Sequence, residues 1–171
     1  TMPWKINHCM FVDLIHSARN RVVITTPYFI PDEPLLQALH TARLRGVEVH
    51  LVVSKKADQL IVSLAQQSYY EELLDIDVRI HLYKYNFLHA KHMSIDDNIA
   101  LVGSSNMDIR SFALNAEISV IFYDQRVTAA LIAQQELYFK SSEELTHDEW
   151  DKRGSLRRMF HSIARLLSPL L

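Results

Sequence analysis

Short β-branched runs alternate with amphipathic stretches through the first half of this chain, and that rhythm leaves few folds open. Residues 21–26 (RVVITT) read as a buried strand that Pro27 terminates, because proline cannot donate to a ladder. Residues 47–53 and 77–83 repeat the pattern. Helical spacing fills the intervals. Met10, Phe11, Leu14, Ile15 and Ala18 share one face of a first helix. Asp32 is placed to cap a second, whose buried side carries Leu35, Leu36, Leu39 and Ala42 and which Gly46 ends. Ile61, Leu64, Ala65 and Leu73 mark a third. After Tyr83 the rhythm changes. Residues 90–95, 99–102 and 117–123 read as strands in quick succession, the first two joined by the turn Asp96-Asp97-Asn98 and therefore antiparallel. Asp124 then caps a helix running toward Lys140, with Val127, Ala130, Leu131, Leu137 and Tyr138 expected on its inner side, and a last helix is expected after Gly154. The pattern predicts a mixed sheet covered on both faces, a three-layer α-β-α sandwich of the α/β class.

Composition narrows the organisation and the function classes. With 171 residues, 49% of them apolar, the chain can bury one well-packed core and is expected to form a single domain over residues 1–171. Three glycines and five prolines leave no linker, and no internal repeat is visible. A formal net charge of -2 gives no basic footprint, so nucleic acid is not an expected partner. Cys9 is the only cysteine, so no intramolecular disulfide forms, and it reads as a small buried hydrophobe. No apolar run approaches the roughly 20 residues that span a bilayer. No signal peptide is visible, and Thr1 is not a natural initiator, which reads as a fragment.

The residues that carry chemistry lie in LHAKHMSID, residues 88–96. His89 and Lys91 are two apart, so on extended backbone both side chains leave the same face and converge on one phosphate. An imidazole can attack phosphorus to give a covalent intermediate, and an ammonium stabilises charge on the non-bridging oxygens. Gly103-Ser104-Ser105-Asn106 follows, with a glycine for the turn and hydroxyl and amide donors for the same phosphate. Glu117 is expected to accept the second imidazole proton of His89, fixing its tautomer. Each residue alone would be an ordinary core, edge or turn residue; the combined spacing is what singles them out. His92 points to the opposite face from His89, so no metal site is expected from His89, His92, Asp96 and Asp97.

This arrangement resembles the phospholipase D superfamily, whose H-x-K-x4-D motif is followed by G-S-x-N and then a glutamate, matched here by His89, Lys91, Asp96, Gly103, Ser104, Asn106 and Glu117. The resemblance implies His89 as nucleophile, Lys91, Ser104 and Asn106 as phosphate ligands, Glu117 as the partner of His89, Asp96 in a supporting part of the catalytic set, and no metal or other cofactor. Beyond the motif, TTPYFIPDEP (residues 25–34), GVEV (46–49), SYYEELL (68–74), NMDIRSF (106–112) and the closing ARLLSPLL (164–171) are similar to the C-terminal half of bacterial cardiolipin synthases. That implies transfer of a phosphatidyl group between two phosphatidylglycerol molecules with release of glycerol, at the bacterial cytoplasmic membrane in the full-length protein, this segment being soluble or peripheral. Those synthases carry two motifs. Of the nine histidines here, only His89 has the lysine and aspartate at the right spacing, so the partner is a second H-x-K-x4-D half, from the same full-length chain or a homodimer mate, and this chain as a monomer is expected to be nearly inactive.

Two other readings stand beside this one: a single-motif phosphodiesterase or nuclease completed by dimerisation, and a non-catalytic lipid-binding module. Leu156, Met159, Phe160, Ile163 and Leu167, with Lys152, Arg153, Arg157, Arg158 and Arg165, give the last helix a basic amphipathic character. It suits an anionic membrane surface or packing on the domain. Tyr28, Phe29, Tyr69 and Tyr70 are read as core rather than as an acyl-chain groove.

Overall fold

The computed structural model describes residues 6–56, 58–108, 111–112, 115–152 and 165. Three parallel strands form the centre: β1 (Arg21–Thr25) between the antiparallel β5 (His92–Ile95) and β3 (Glu48–Ser54), with β4 (Arg79–Tyr83) beyond β3. Antiparallel β6 (Ile99–Gly103) and β8 (Ser119–Phe122) extend the sheet on one side, and β9 (Ser142–Leu145) closes the other. The order β8-β6-β5-β1-β3-β4-β9 is the mixed sheet the sequence predicts. A second, two-stranded sheet pairs β2 (Phe29–Ile30) in parallel with β7 (Met107–Asp108).

Strand alternation sorts the side chains into two layers of different chemistry. Val22, Ile24, Val49, Leu51, Val53 and Ile80 face one side, where α1 (Ile6–Ser17), α2 (Glu33–Leu44), α3 (Leu60–Gln67) and α4 (Tyr70–Asp75) bury Ile15, Leu35, Leu39, Ala65 and Leu73 against them. Each large apolar side chain buried here contributes about 1.5–3 kcal/mol. Helix α2 begins where Asp32 accepts the Leu35 N–H at 3.3 Å and ends before Gly46, whose φ of 83° suits a residue without Cβ. The third predicted helix is two. It breaks at Ser68, whose hydroxyl donates back to the Ala65 carbonyl at 2.6 Å, and restarts so that Tyr69 and Tyr70 are buried.

The other layer is polar. His50, His81, His92 and Ser94 stand beside Val23 and Val52 beneath α5 (Gln125–Lys140). Helix α5 starts on Asp124 as expected, but the inner face differs from the sequence reading. Thr128 and Gln135 are its fully buried residues, Leu131 and Tyr138 are half-buried, and Val127, Ala130 and Leu137 are exposed. The reason is the surface underneath. Gln135 accepts from the Ser94 hydroxyl at 2.7 Å and approaches His92 Nδ1 at 3.3 Å, and Phe139 stacks against His81 with ring centroids 4.4 Å apart. Cys9 also departs from expectation: it is exposed, on a shallow apolar groove between α1 and Ile121.

Trp150, buried on α6 (His147–Asp151), packs on Tyr70. The amphipathic helix expected after Gly154 lies outside the described residues except for Arg165, whose guanidinium lies 2.5 Å from Glu72 Oε2 and 4.8 Å from the centre of the Tyr69 ring. Among the described residues no helix is long and apolar enough to cross a membrane.

Candidate active site

The site lies at the end of the sheet where the parallel strands finish. His89 and Lys91 precede β5 rather than belonging to it, yet the backbone is extended enough to keep them on one face. Lys91 Nζ lies 3.1 Å from His89 Nε2 and donates also to the His89 carbonyl at 3.1 Å. With the ammonium as donor, Nε2 accepts and the ring proton sits on Nδ1. The Nε2 lone pair therefore points at the Lys91 ammonium, so a phosphate drawn to that cation would meet it. The segment is held at both ends: Leu88 N–H donates to Ser54 Oγ at the end of β3 (3.3 Å), and the Lys91 carbonyl accepts from Gly103 at 3.0 Å.

Gly103 lets the next segment close on the site. A Cβ there would lie 2.6 Å from the Ile118 carbonyl oxygen, so any side chain would push β6 and the segment before β8 apart. That close approach brings Ser104 to Glu117. The Ser104 hydroxyl donates to Glu117 Oε2 and accepts from the Ile118 N–H at 3.1 Å. The sequence reading gave Glu117 to His89; in this chain Ser104 stands between the strands and takes the carboxylate instead. Among the described residues His89 meets Lys91 and the Phe87 ring, 5.8 Å away centre to centre.

Burial draws the Lys91 pKa below its ordinary value, and the charges of Glu117 and Asp108 pull it back up. Those two carboxylates offset part of the effect of burial on a half-buried ammonium. Asp108 was not singled out by the sequence, since its reach to Lys91 depends on β2 pairing with β7, a contact between segments 78 residues apart at Phe29 and Met107. That pairing also sets Tyr28 beside Asn106. No periodicity signals strands of two residues.

Asp96 is not part of this site. It lies at the far end of β5, in a left-handed turn (φ 49°), where its carboxylate accepts the N–H groups of Arg19 (3.0 Å), Asn20 (2.8 Å) and Arg21 (2.8 Å). It organises the entry into β1, and this corrects its grouping with His89 and Lys91 as catalytic. His92 goes beneath α5, as alternation requires. Among the described residues no three His, Cys, Asp or Glu side chains come together as a metal-binding group.

Residues 11–141 match the family model described as cardiolipin synthase, PLD-like domain. The chain is 39% identical over 168 residues to a cardiolipin synthase of Halalkalibacterium halodurans and 40% identical over 168 residues to cardiolipin synthase 2 of Bacillus cereus; each match takes in 98% of this chain. It spans 33% of the length of either relative. The fold is shared with Nuc of Salmonella typhimurium, a phospholipase D family member (TM-score 0.73, 17% identity, 85% of this chain and 94% of that one). It is shared as well with phosphatidylserine synthase of Haemophilus influenzae (TM-score 0.75, 18% identity, 96% of this chain and 45% of that one). With its histidine–lysine pair, its Gly-Ser turn and its mixed sheet all in place, the chain belongs to the cardiolipin synthase family of phospholipase D-like domains.

Proposed function

We propose that this chain is one half of a two-motif phosphatidyltransferase that makes cardiolipin from two phosphatidylglycerol molecules and releases glycerol. His89 Nε2 attacks the phosphorus of the first lipid. The N–P bond forms as the bond from phosphorus to the headgroup oxygen breaks, and the departing glycerol oxygen takes a proton from an acid in the complementary half. The glycerol hydroxyl of the second lipid then returns a proton to that group as its oxygen bonds to phosphorus and the N–P bond breaks, leaving a neutral imidazole. Lys91 and Asn106 hold the non-bridging oxygens, and the Ser104 hydroxyl assists by turning its one proton from Glu117 to the phosphate. Glu117 orients Ser104 and helps keep Lys91 charged. The full-length protein would work at the bacterial cytoplasmic membrane, where both lipids reside.

The observation that carries this reading is the 3.1 Å contact between the Lys91 ammonium and His89 Nε2, a cation and a lone pair set for one phosphate. Relatives at 39–40% identity supply the lipid substrates as the preferred class. The test is to reconstitute the full-length chain in phosphatidylglycerol vesicles, trap the intermediate by acid-free quenching, and separate the lipids. An acid-labile phosphohistidine and cardiolipin as main product are expected, both abolished by His89→Ala if His89 is the nucleophile. Phosphatidic acid as the dominant product would overturn the synthase reading, and DNA cleavage by the purified dimer would favour a nuclease. Undiminished transfer in His89→Ala would overturn the mechanism.

A further inference from the structure

The end of the sheet that carries His89 and Lys91 also carries an apolar rim. Leu60 and Ile61 open α3 after β3 has finished, and Tyr85 follows the end of β4, so all three lie where the parallel strands finish. They are 73%, 55% and 61% exposed. Singly, an exposed leucine or tyrosine is ordinary. These are gathered. Lys56 Nζ donates to the Tyr85 carbonyl at 2.5 Å and so laces the segment before α3 to the segment before His89. Asp58 accepts the Tyr28 hydroxyl at 2.5 Å, the Tyr28 ring lies 6.0 Å from Phe87, and Phe87 lies 5.8 Å from the His89 ring, centre to centre. The two rim segments are thus tied to each other and, through Tyr28 and Phe87, to the exposed imidazole.

Lysines interleave with these side chains. Lys55, Lys56 and Lys84 are all exposed; Lys55 pairs with Glu143, and Lys56 and Lys84 stand on either side of Tyr85. The cores of protein–protein interfaces are depleted in lysine. Where a protein meets lipid headgroups, tyrosine is enriched and lysine keeps its stem on apolar surface while its ammonium reaches the phosphates. The composition of the rim is of the second kind. The substrate class places a bilayer at the same end. A phosphatidyl group with its phosphate at His89 and Lys91 keeps its acyl chains in lipid, because every methylene drawn into water opposes binding. The apolar groove beside α1 lies away from this route: it reaches Ile99 at the start of β6, whereas the site lies at the finish of β6, beside Gly103.

We propose that this rim is the face that the domain lays on a phospholipid bilayer, with Leu60, Ile61 and Tyr85 entering the headgroup region and Lys56 and Lys84 at the level of the lipid phosphates. The proposal rests on the lipid-transfer reading and goes further, fixing which surface of the fold approaches the substrate. Docked this way, the domain brings His89 to a phosphate whose acyl chains never leave the bilayer.

Position is read first, in the full-length chain carrying His89→Ala, so that the lipid composition stays fixed, and with its cysteines replaced by serine. Leu60→Cys, Tyr85→Cys and the control Leu44→Cys are each labelled with nitrobenzoxadiazole. Leu44, 78% exposed, ends α2 before β3 begins, at the opposite end of the sheet. In vesicles of equal phosphatidylglycerol and phosphatidylcholine, doxyl-labelled phosphatidylcholine is expected to quench positions 60 and 85 at least threefold more than position 44. Equal quenching at all three overturns the proposal. So does a label at position 60 that is shielded from aqueous iodide yet untouched by the doxyl lipid, since the complementary half would then cover the rim. Function is read second, as glycerol release by the chain with His89 intact. Leu60→Ser, Ile61→Ser and Tyr85→Ser together are expected to slow release from vesicles at least fivefold and to leave release from monomeric dihexanoyl phosphatidylglycerol within twofold of wild type. Loss on neither substrate overturns the proposal; loss on both alike assigns these residues to the fold or the site and overturns it too. If the vesicles yield only phosphatidic acid, the synthase reading falls, while the quenching comparison still decides the rim.

Discussion

At the scale of single residues, Lys91 and Asp96 show how one motif divides between chemistry and architecture. Lys91 acts as a charge, so Lys91→Gln is expected to lower kcat on phosphatidylglycerol by about 10²–10³, the usual cost of losing one donor to a developing anion. Its pKa is drawn below the ordinary lysine value, and only the charged form stabilises the phosphate. Activity should therefore fall as pH rises through that lowered pKa, and the alkaline limb should vanish in Lys91→Arg, whose guanidinium does not titrate. A limb that persists unchanged in Lys91→Arg would assign it to another group. Asp96 acts as a staple. Asp96→Ala strips the acceptor from three backbone N–H groups and leaves alanine at φ 49°. It should cost about 2–4 kcal/mol in urea unfolding. The turnover of the remaining folded protein should stay close to wild type, and a catalytic defect without a stability loss would contradict the structural assignment. Spacing alone could find both residues, but it could not say which end of a strand each occupies. His89 and Asp96 flank β5, and a strand carries its two ends apart.

At the scale of elements, the sequence was legible wherever burial meant apolar burial. Helices α1 and α2, the Asp32 cap of α2, the three parallel strands and the β5–β6 hairpin follow the predicted positions because period and hydrophobicity agree there. Helix α5 departs because its floor is polar. Hydrophobic spacing selected Val127 and Leu137, whereas the sheet face of His50, His81, His92 and Ser94 selects Thr128 and Gln135. Strand β9, Ser-Glu-Glu-Leu, was missed for a related reason: it is an edge with no apolar alternation to show.

The same polar floor gives a pH dependence. Burial lowers the His92 pKa from 6.5 to about 4. His50 and His81, 3.0 Å apart between ring nitrogens, are lowered by burial and by the charges of Arg21 and Arg79. In the unfolded chain each titrates near the ordinary value, so as pH falls through that value the unfolded state takes up protons that the folded state refuses. Stability is then full above about pH 6.5 and is lost progressively down to about pH 4. His92 alone is worth about 3 kcal/mol over that window. Urea melts at pH 7.5 and 4.5 should show the loss, and His92→Phe should remove part of it. Parallel curves for wild type and His92→Phe would place the titrating group elsewhere.

At the scale of the whole molecule, this chain brings one imidazole, one ammonium and one Gly-Ser turn together, while its relatives are about three times its length. A displacement at phosphorus needs an attacking group and, on the opposite side, an acid for the departing alkoxide. His89 cannot be both at once, and the Glu117 carboxylate is engaged by the Ser104 hydroxyl. In the proposed mechanism the described residues therefore supply donor activation, and leaving-group protonation falls to the complementary half. General acid catalysis typically contributes about 10²–10⁴ in rate, so the segment alone, held monomeric as checked by sedimentation, should form cardiolipin that much more slowly than the full-length chain. Adding the remaining part of the chain in trans should restore the rate in proportion to complex formed, and a His89→Ala segment added the same way should restore nothing. A monomeric segment that turned over at the full-length rate would show that its own residues include the missing acid, and the two-half mechanism would have to be abandoned.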